Sequence, residues 1–366
     1  MEKIVLYMLI FMLGLTACKQ QGYLIEGRAE ELEGEEVFLY ATVDEKQVVL
    51  GHTVVKDGKF EFRGTVTEVT PSRLSIEGMY PGLLFLENSA VFKVSLKPGQ
   101  LPLVESGSET QRLYEGLIDI DMDYGKEELN RLTARLVEAS RKEDSVKVAE
   151  IRTAIKQVYA KKEEAKEAYR KEHGNTFFAL YELNATVYRT DAVKAREFLD
   201  LCGEELKNTS FGRQVVAKIE TLERVCVGAV VPDFTAATPE GRPLSLYGTE
   251  GRVKFIDFWA STCAQCRREH KLLLPLYEKY RAQGFEIISI SLDTQRDRWV
   301  AAIEKDGMPW PQVSDLKGTE PSSVAALYAV PALPYTVLVD ADNRVIARDI
   351  HYDRLKDTLP ELLKGN

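Results

Sequence analysis

The sequence predicts a multidomain protein with an all-β sandwich at its N-terminus, a helical middle and an α/β domain at its C-terminus. Three observations predict this. Residues 22–105 hold short β-rich runs punctuated by glycine and proline. Residues 106–225 carry apolar side chains at helical spacing in a Lys/Glu-dense background. From residue 226 onward, apolar runs alternate with helical patterns, the order of a mostly parallel sheet covered by helices. The expected domains are therefore 18–105, 106–225 and 226–366, and a chain of 366 residues can give each a core.

Hydrophobic content of 45% and charged content of 29% place the chain among soluble globular proteins. The net charge of −9 argues against nucleic acid as a partner and against a basic membrane-binding face. The first residues differ from the rest. One lysine, Lys3, precedes an almost wholly apolar run, 4–15, too short to span a bilayer. The run ends in Leu15-Thr16-Ala17-Cys18, which resembles a bacterial lipobox. The resemblance implies that 1–17 is a lipoprotein signal peptide, cleaved before Cys18, whose sulfur takes the lipid. An ordinary signal peptide with an incidental cysteine is the alternative. A lipid-anchored chain would work in an oxidising, periplasm-facing envelope compartment.

Within 18–105 the expected strands are 37–40, 48–55, 59–63, 73–76, 83–86 and 91–96. Asp57-Gly58, between alternating runs, is a hairpin signal. Many short antiparallel strands predict a sandwich or small barrel. In the middle segment Leu129, Leu132 and Leu136 recur at helical spacing, as do Val148, Ile151, Ile155 and Val158. Mixed charges over 126–172 read as a solvated helix face, with a coiled-coil dimer as the alternative. His173, before Gly174, reads as a helix C-terminal residue rather than a ligand.

The chemistry concentrates in one stretch of the last domain. Val253, Phe255, Ile256 and Phe258 mark a buried central strand, followed by Cys263-Ala264-Gln265-Cys266 and a helical pattern over 267–280. A cysteine at a helix N-terminus meets unpaired N–H groups and the positive end of the helix dipole, which stabilise a thiolate. Cys263 is therefore the expected nucleophile. Cys266, one turn on, is placed to attack the mixed disulfide that Cys263 forms. A haem site would need His at position 267, which is Arg, and a zinc site would need further ligands near the pair, so no metal is expected. Of the five cysteines, Cys202 and Cys226 remain; they could pair, but Cys202 lies in an amphipathic helical pattern and Cys226 in an apolar segment, with no turn chemistry near either, which favours free thiols.

Asp257-Phe258-Trp259-Ala260 followed by Cys263 and Cys266 resembles the thioredoxin active site. Cys-x-x-Cys-Arg267-Arg268-Glu269 resembles, more narrowly, the membrane-tethered thioredoxin-like reductases of the ResA/TlpA type. Gly228 to Phe234 is similar to the entry strand of the ResA/TlpA and thiol-specific antioxidant groups, and 310–318 to a stretch common in Bacteroidetes members of the ResA/TlpA type. Residues 58–64 and 84–88 resemble an uncharacterised domain that precedes thioredoxin modules in Bacteroidetes envelope lipoproteins.

The resemblance implies a thioredoxin-like fold for 226–366 and no cofactor beyond the redox-active Cys263–Cys266 disulfide. It implies that Asp257 assists deprotonation of Cys266 and that Glu269 belongs to the catalytic set. Pro334 would be a cis proline, with Pro331 as its competitor, and Leu333-Pro334 would offer backbone groups to substrate. Trp259 is expected to shield the disulfide and face substrate, with a core role as the alternative. His270 is expected on the helix surface, or as a group that tunes Cys266. Gln265 stands where the family usually has Pro, which leaves the direction of electron flow open.

The function expected is thiol–disulfide exchange on envelope proteins, most simply as a reductant fed by a membrane electron donor of the DsbD/CcdA kind. Apocytochrome c is one substrate class that such proteins serve. Two alternatives stand beside it. A thiol peroxidase would show Pro seven and Thr or Ser three residues before its cysteine, where this chain has Ile256 and Ala260. A thioredoxin-fold binding module would keep its disulfide as a structural bond.

Overall fold

The computed structural model describes residues 22–43 and 46–364. The expected signal peptide and Cys18 lie outside them. The chain divides into two compact units, Met1–Tyr169 and Arg170–Asn366.

The first unit begins with eight strands: β1 (Tyr23–Arg28), β2 (Glu36–Val43), β3 (Lys46–Val54), β4 (Lys59–Gly64), β5 (Thr70–Ser75), β6 (Gly82–Leu86), β7 (Val91–Ser95) and β8 (Leu103–Ser106). They form two four-stranded sheets, β4-β1-β7-β8 and β3-β2-β5-β6. Side chains alternate across each strand, so that Phe60 and Phe62 are buried while Lys59 and Glu61 face solvent. Ile25 and Phe92 from one sheet join Leu39, Leu74 and Leu84 from the other in a single apolar cluster, the interior of a sandwich. Asp57 and Gly58 both take positive φ, 51° and 68°, as a two-residue hairpin turn requires. Their N–H groups donate to the Glu33 carboxylate. Two strands were not expected from sequence, β1 and β8. The alternation of β1 is masked at Gly27, where a Cβ would lie 2.0 Å from the Phe60 ring.

Three helices follow, α1 (Glu109–Asp123), α2 (Lys126–Arg141) and α3 (Ser145–Glu172). Ser108 caps α1, its hydroxyl accepting the Gln111 N–H. Gln111 is buried and accepts the Phe85 N–H, tying α1 to β6. Leu132, Ala139, Ile151 and Val158 make a small core between α2 and α3.

The second unit opens with the last residues of α3, followed by α4 (Phe177–Thr186), α5 (Ala192–Asp200), α6 (Glu204–Lys207) and α7 (Ser210–Glu223). The helical stretch 106–225 is thus shared between the two units. Then come β9 (Thr235–Ala237), β10 (Pro243–Ser245), β11 (Val253–Trp259), α8 (Ala264–Tyr280), β12 (Phe285–Ser291), α9 (Arg296–Asp306), β13 (Gln312–Ser314), α10 (Val324–Leu327), β14 (Tyr335–Asp340), β15 (Val345–Arg348) and α11 (Tyr352–Lys364). The seven-stranded sheet runs β10-β9-β13-β12-β11-β14-β15. Pairing is parallel for β11 with β12 and β12 with β13, and antiparallel towards both edges, so the sheet is mixed rather than mostly parallel.

β11 is buried along its whole length, as a central strand must be when both faces are covered. Its alternation sorts two cores. Ile256 and Phe258 join Ile288, Ile290 and Val337 in a cluster that continues into α4, α5 and α7. Phe255 and Trp259 join the cluster that holds Cys266 and residues of α8, α9 and α11. Asp257, two residues from each, belongs by period to the second face, beneath α8.

Candidate active site

Cys263 is the N-cap of α8, and its sulfur accepts the Cys266 backbone N–H at 3.1 Å. Cys263 and Cys266 are joined as a disulfide. Cys263 is half-buried, whereas Cys266 is 1% exposed. One sulfur is open to a partner and the other lies beneath it.

The loop before the helix is anchored from below. The Ser261 N–H and hydroxyl donate to the two oxygens of buried Asp293 at 2.8 and 2.6 Å, and the Ser291 hydroxyl donates to the same carboxylate. Just inside the helix, Arg267 makes a bidentate pair with Asp306 on α9. That guanidinium holds the Asp306 carboxyl below the usual carboxylate range.

Asp257 is 3% exposed. Its Oδ2 lies 2.8 Å from His270 Nε2 and accepts the Ser289 hydroxyl at 2.7 Å. Ser289 Oγ in turn accepts the Trp310 indole N–H at 2.9 Å. Glu269 points elsewhere on α8, with an oxygen 2.9 Å from His351 Nδ1.

The Leu333–Pro334 bond is cis, and Pro331 follows a trans bond. Tyr335 pairs with Phe258 and Thr336 with Asp257, which brings Pro334 to the end of the sheet where the cysteine loop begins. Leu333 is partly buried against both cores, and Cys263 against the second. Cys202 and Cys226 are free, each thiol donating to a backbone carbonyl, and burial pushes the Cys202 thiol up.

Two expectations need correction. Trp259 does not face substrate: it is fully buried, its ring edge-on to His270 at 5.0 Å. It ends a strand covered on both faces, so it fills the core below the disulfide. His270 is not a surface residue: it is fully buried, because the residues at 266, 270, 273, 277 and 280 form the inner stripe of α8. That spacing was the available signal. Asp293, Ser261, Ser289 and Trp310 were missed, since their contacts join residues far apart in sequence. Among the described residues no group of three or more His, Cys, Asp or Glu could hold a metal ion, and no helix is long and apolar enough to cross a membrane.

The AhpC/TSA family matches residues 227–348, and a domain of unknown function, DUF4369, matches 23–114. The thiol-disulfide oxidoreductase ResA of Bacillus thuringiensis subsp. konkukian is 30% identical over 142 residues, which cover 39% of this chain and 79% of the relative. The chain belongs to the ResA family of thiol-disulfide oxidoreductases. ResA of Geobacillus thermodenitrificans is 32% identical over 121 residues, 33% of this chain and 67% of its own. The thioredoxin domain of a thiol-disulfide oxidoreductase from Bacteroides vulgatus shares 30% identity, with a TM-score of 0.36, over 38% of this chain and 98% of that domain. The AhpC/TSA match spans Cys263 and Cys266, and the activity is thiol–disulfide exchange.

Proposed function

We propose that this ResA-type enzyme is a lipid-anchored reductant of disulfides in envelope proteins. Cys263 attacks a substrate disulfide as a thiolate, forming a mixed disulfide and releasing one substrate sulfur. Cys266 then attacks the Cys263 sulfur, and the second substrate sulfur leaves. The substrate gains two electrons and two protons, and the enzyme is left with its Cys263–Cys266 disulfide. No other cofactor takes part.

The observation that carries this reading is the asymmetry of the two sulfurs. Cys263 is half-open at a helix N-terminus with an N–H on its sulfur, and Cys266 is enclosed below it. Asp257 takes part in moving the Cys266 proton, and Glu269 contributes from the outer side of α8. Leu333 and cis Pro334 present backbone groups to an extended substrate segment at the same end of the sheet. Cys18 carries the lipid and keeps the enzyme at an envelope membrane. In an oxidising compartment the enzyme must be re-reduced, so a membrane electron donor of the DsbD/CcdA kind is its second partner.

The test is the reduction potential of the Cys263/Cys266 couple, from equilibration in graded thiol/disulfide buffers. A value near that of thioredoxin, about −270 mV, supports a reductant, and one near about −120 mV turns the reading round to disulfide formation.

A further inference from the structure

The buried network beneath the disulfide fixes where its protons sit. The Trp310 indole N–H can only donate, so Ser289 Oγ accepts from it and gives its own proton to Asp257 Oδ2. The carboxylate is thus an acceptor, and towards His270 Nε2, 2.8 Å away, it accepts again. With Asp257 as a carboxylate accepting from both neighbours, the neutral ring is assigned its proton on Nε2, which leaves the lone pair on Nδ1. Nδ1 is buried and has no partner.

A buried acceptor left bare is costly, and the structure offers a reason for it. Side chains on a helix lean towards its N-terminus, so a residue covers the turn that precedes it. Four residues before His270 on the same buried stripe stands Cys266. In the disulfide form the Cys266 sulfur has no proton to donate. Reduction supplies one, and nothing else in the enclosed stripe of α8 would take it.

We propose that His270 Nδ1 is the proton acceptor for the Cys266 thiol, and that Asp257 is the positioning residue that holds the ring through Nε2. This rests on the reading in which Cys263 attacks and Cys266 resolves. In the second step the Cys266 proton passes to Nδ1, and the freed electron pair forms the bond to Cys263 Sγ. The bond from Cys263 to substrate breaks, with its electron pair on the substrate sulfur. That thiolate takes a proton from solvent and the imidazolium releases one, so protons balance. While charged, the ring pairs with Asp257 from β11, and Asp306 from α9, already held by Arg267, feels its charge; Cys266 shares the ring's buried stripe one turn earlier on α8.

The test mixes the reduced full-length chain, with Cys18, Cys202 and Cys226 replaced by alanine so that only the active-site pair reacts, with an aromatic disulfide, dithiobis(nitrobenzoate), and follows two coloured thiolate releases. The first reports Cys263 and the second Cys266. His270→Gln keeps a donor for Asp257 but takes no proton. It is expected to leave the first release unchanged, to slow the second by about 100-fold, and to move its pH profile upward. A second release with the wild-type rate and pH profile would overturn the proposal and return the proton to Asp257. A missing first release, by contrast, would sink the nucleophile reading itself. If His270→Gln does not fold, nitrogen NMR of the histidine rings in the unmodified chain decides. The His270 Nδ1 signal is expected to shift on reduction as it accepts a hydrogen bond from the Cys266 thiol, and an unchanged signal would overturn the assignment.

Discussion

Arg267 grips Asp306 with two parallel bonds of 2.7 Å, and so locks the active-site helix α8 to α9 one residue beyond the second cysteine. The Asp306 side chain is 5% exposed. Arg267→Ala would strand that carboxylate, and a loss of about 2–3 kcal/mol is expected in urea unfolding. Arg267→Lys would recover only part, because an ammonium lacks the planar fork. Since the Asp306 carboxyl is held low when folded, its contribution is complete above the ordinary carboxylate range and is lost as pH falls through the folded value. The Arg267→Ala chain should therefore lose less stability on acidification than the parent.

Asp293 is the anchor of the cysteine loop. Asp293→Ala removes the acceptor for the Ser261 N–H and for the Ser261 and Ser291 hydroxyls. A loss of about 2–3 kcal/mol is expected. Turnover in dithiol-driven disulfide reduction should fall as well, because the loop before Cys263 is no longer held. Asp293→Asn, which keeps an acceptor for the Ser261 N–H, should restore part of both.

Glu269 and His351 form a half-exposed pair, with side chains 20% and 42% exposed. Such a pair contributes less than about 1 kcal/mol. Glu269→Gln should thus leave the urea midpoint nearly unchanged while lowering turnover. Wild-type turnover in that variant would reduce Glu269 to a surface partner of His351.

Tyr277 gives an alkaline signature. Burial, helped by Glu286 beside the hydroxyl, pushes its phenol up to about 12. The unfolded chain loses that proton first, near the ordinary value of 10.0, so the folded state loses stability as pH rises from there to about 12. Tyr277→Phe keeps the ring against Trp310 and should show a shallower alkaline slope in urea unfolding.

What could be read from sequence was local. The Cys263–Cys266 motif lies where one strand turns into one helix, and Asp57-Gly58 specifies its turn with two residues. What could not be read depends on facing. His270 sits among Arg267, Arg268, Glu269 and Lys271, and that polar surrounding hid its place on the buried stripe. Trp259 ends a strand whose apolar run marks it as buried, but the resemblance to the thioredoxin motif places the tryptophan before substrate instead. The strand β1 was concealed by a glycine whose missing side chain makes room for Phe60. Asp293 and Trp310 meet the site through contacts that span 32 and 21 residues, beyond the reach of any short pattern.

β11 separates the two apolar cores and also carries Asp257 below the disulfide. Sliding it by one residue would turn Asp257 towards the opposite core and Ile256 or Phe258 towards the cysteines. The floor of the site is therefore locked to the integrity of the fold. The helix above it is under no such constraint: its outward positions, among them Ala264 and Gln265 between the cysteines, can change without disturbing the sheet. Variation that adjusts redox character without risking collapse has its freest ground there, on the ceiling of the site.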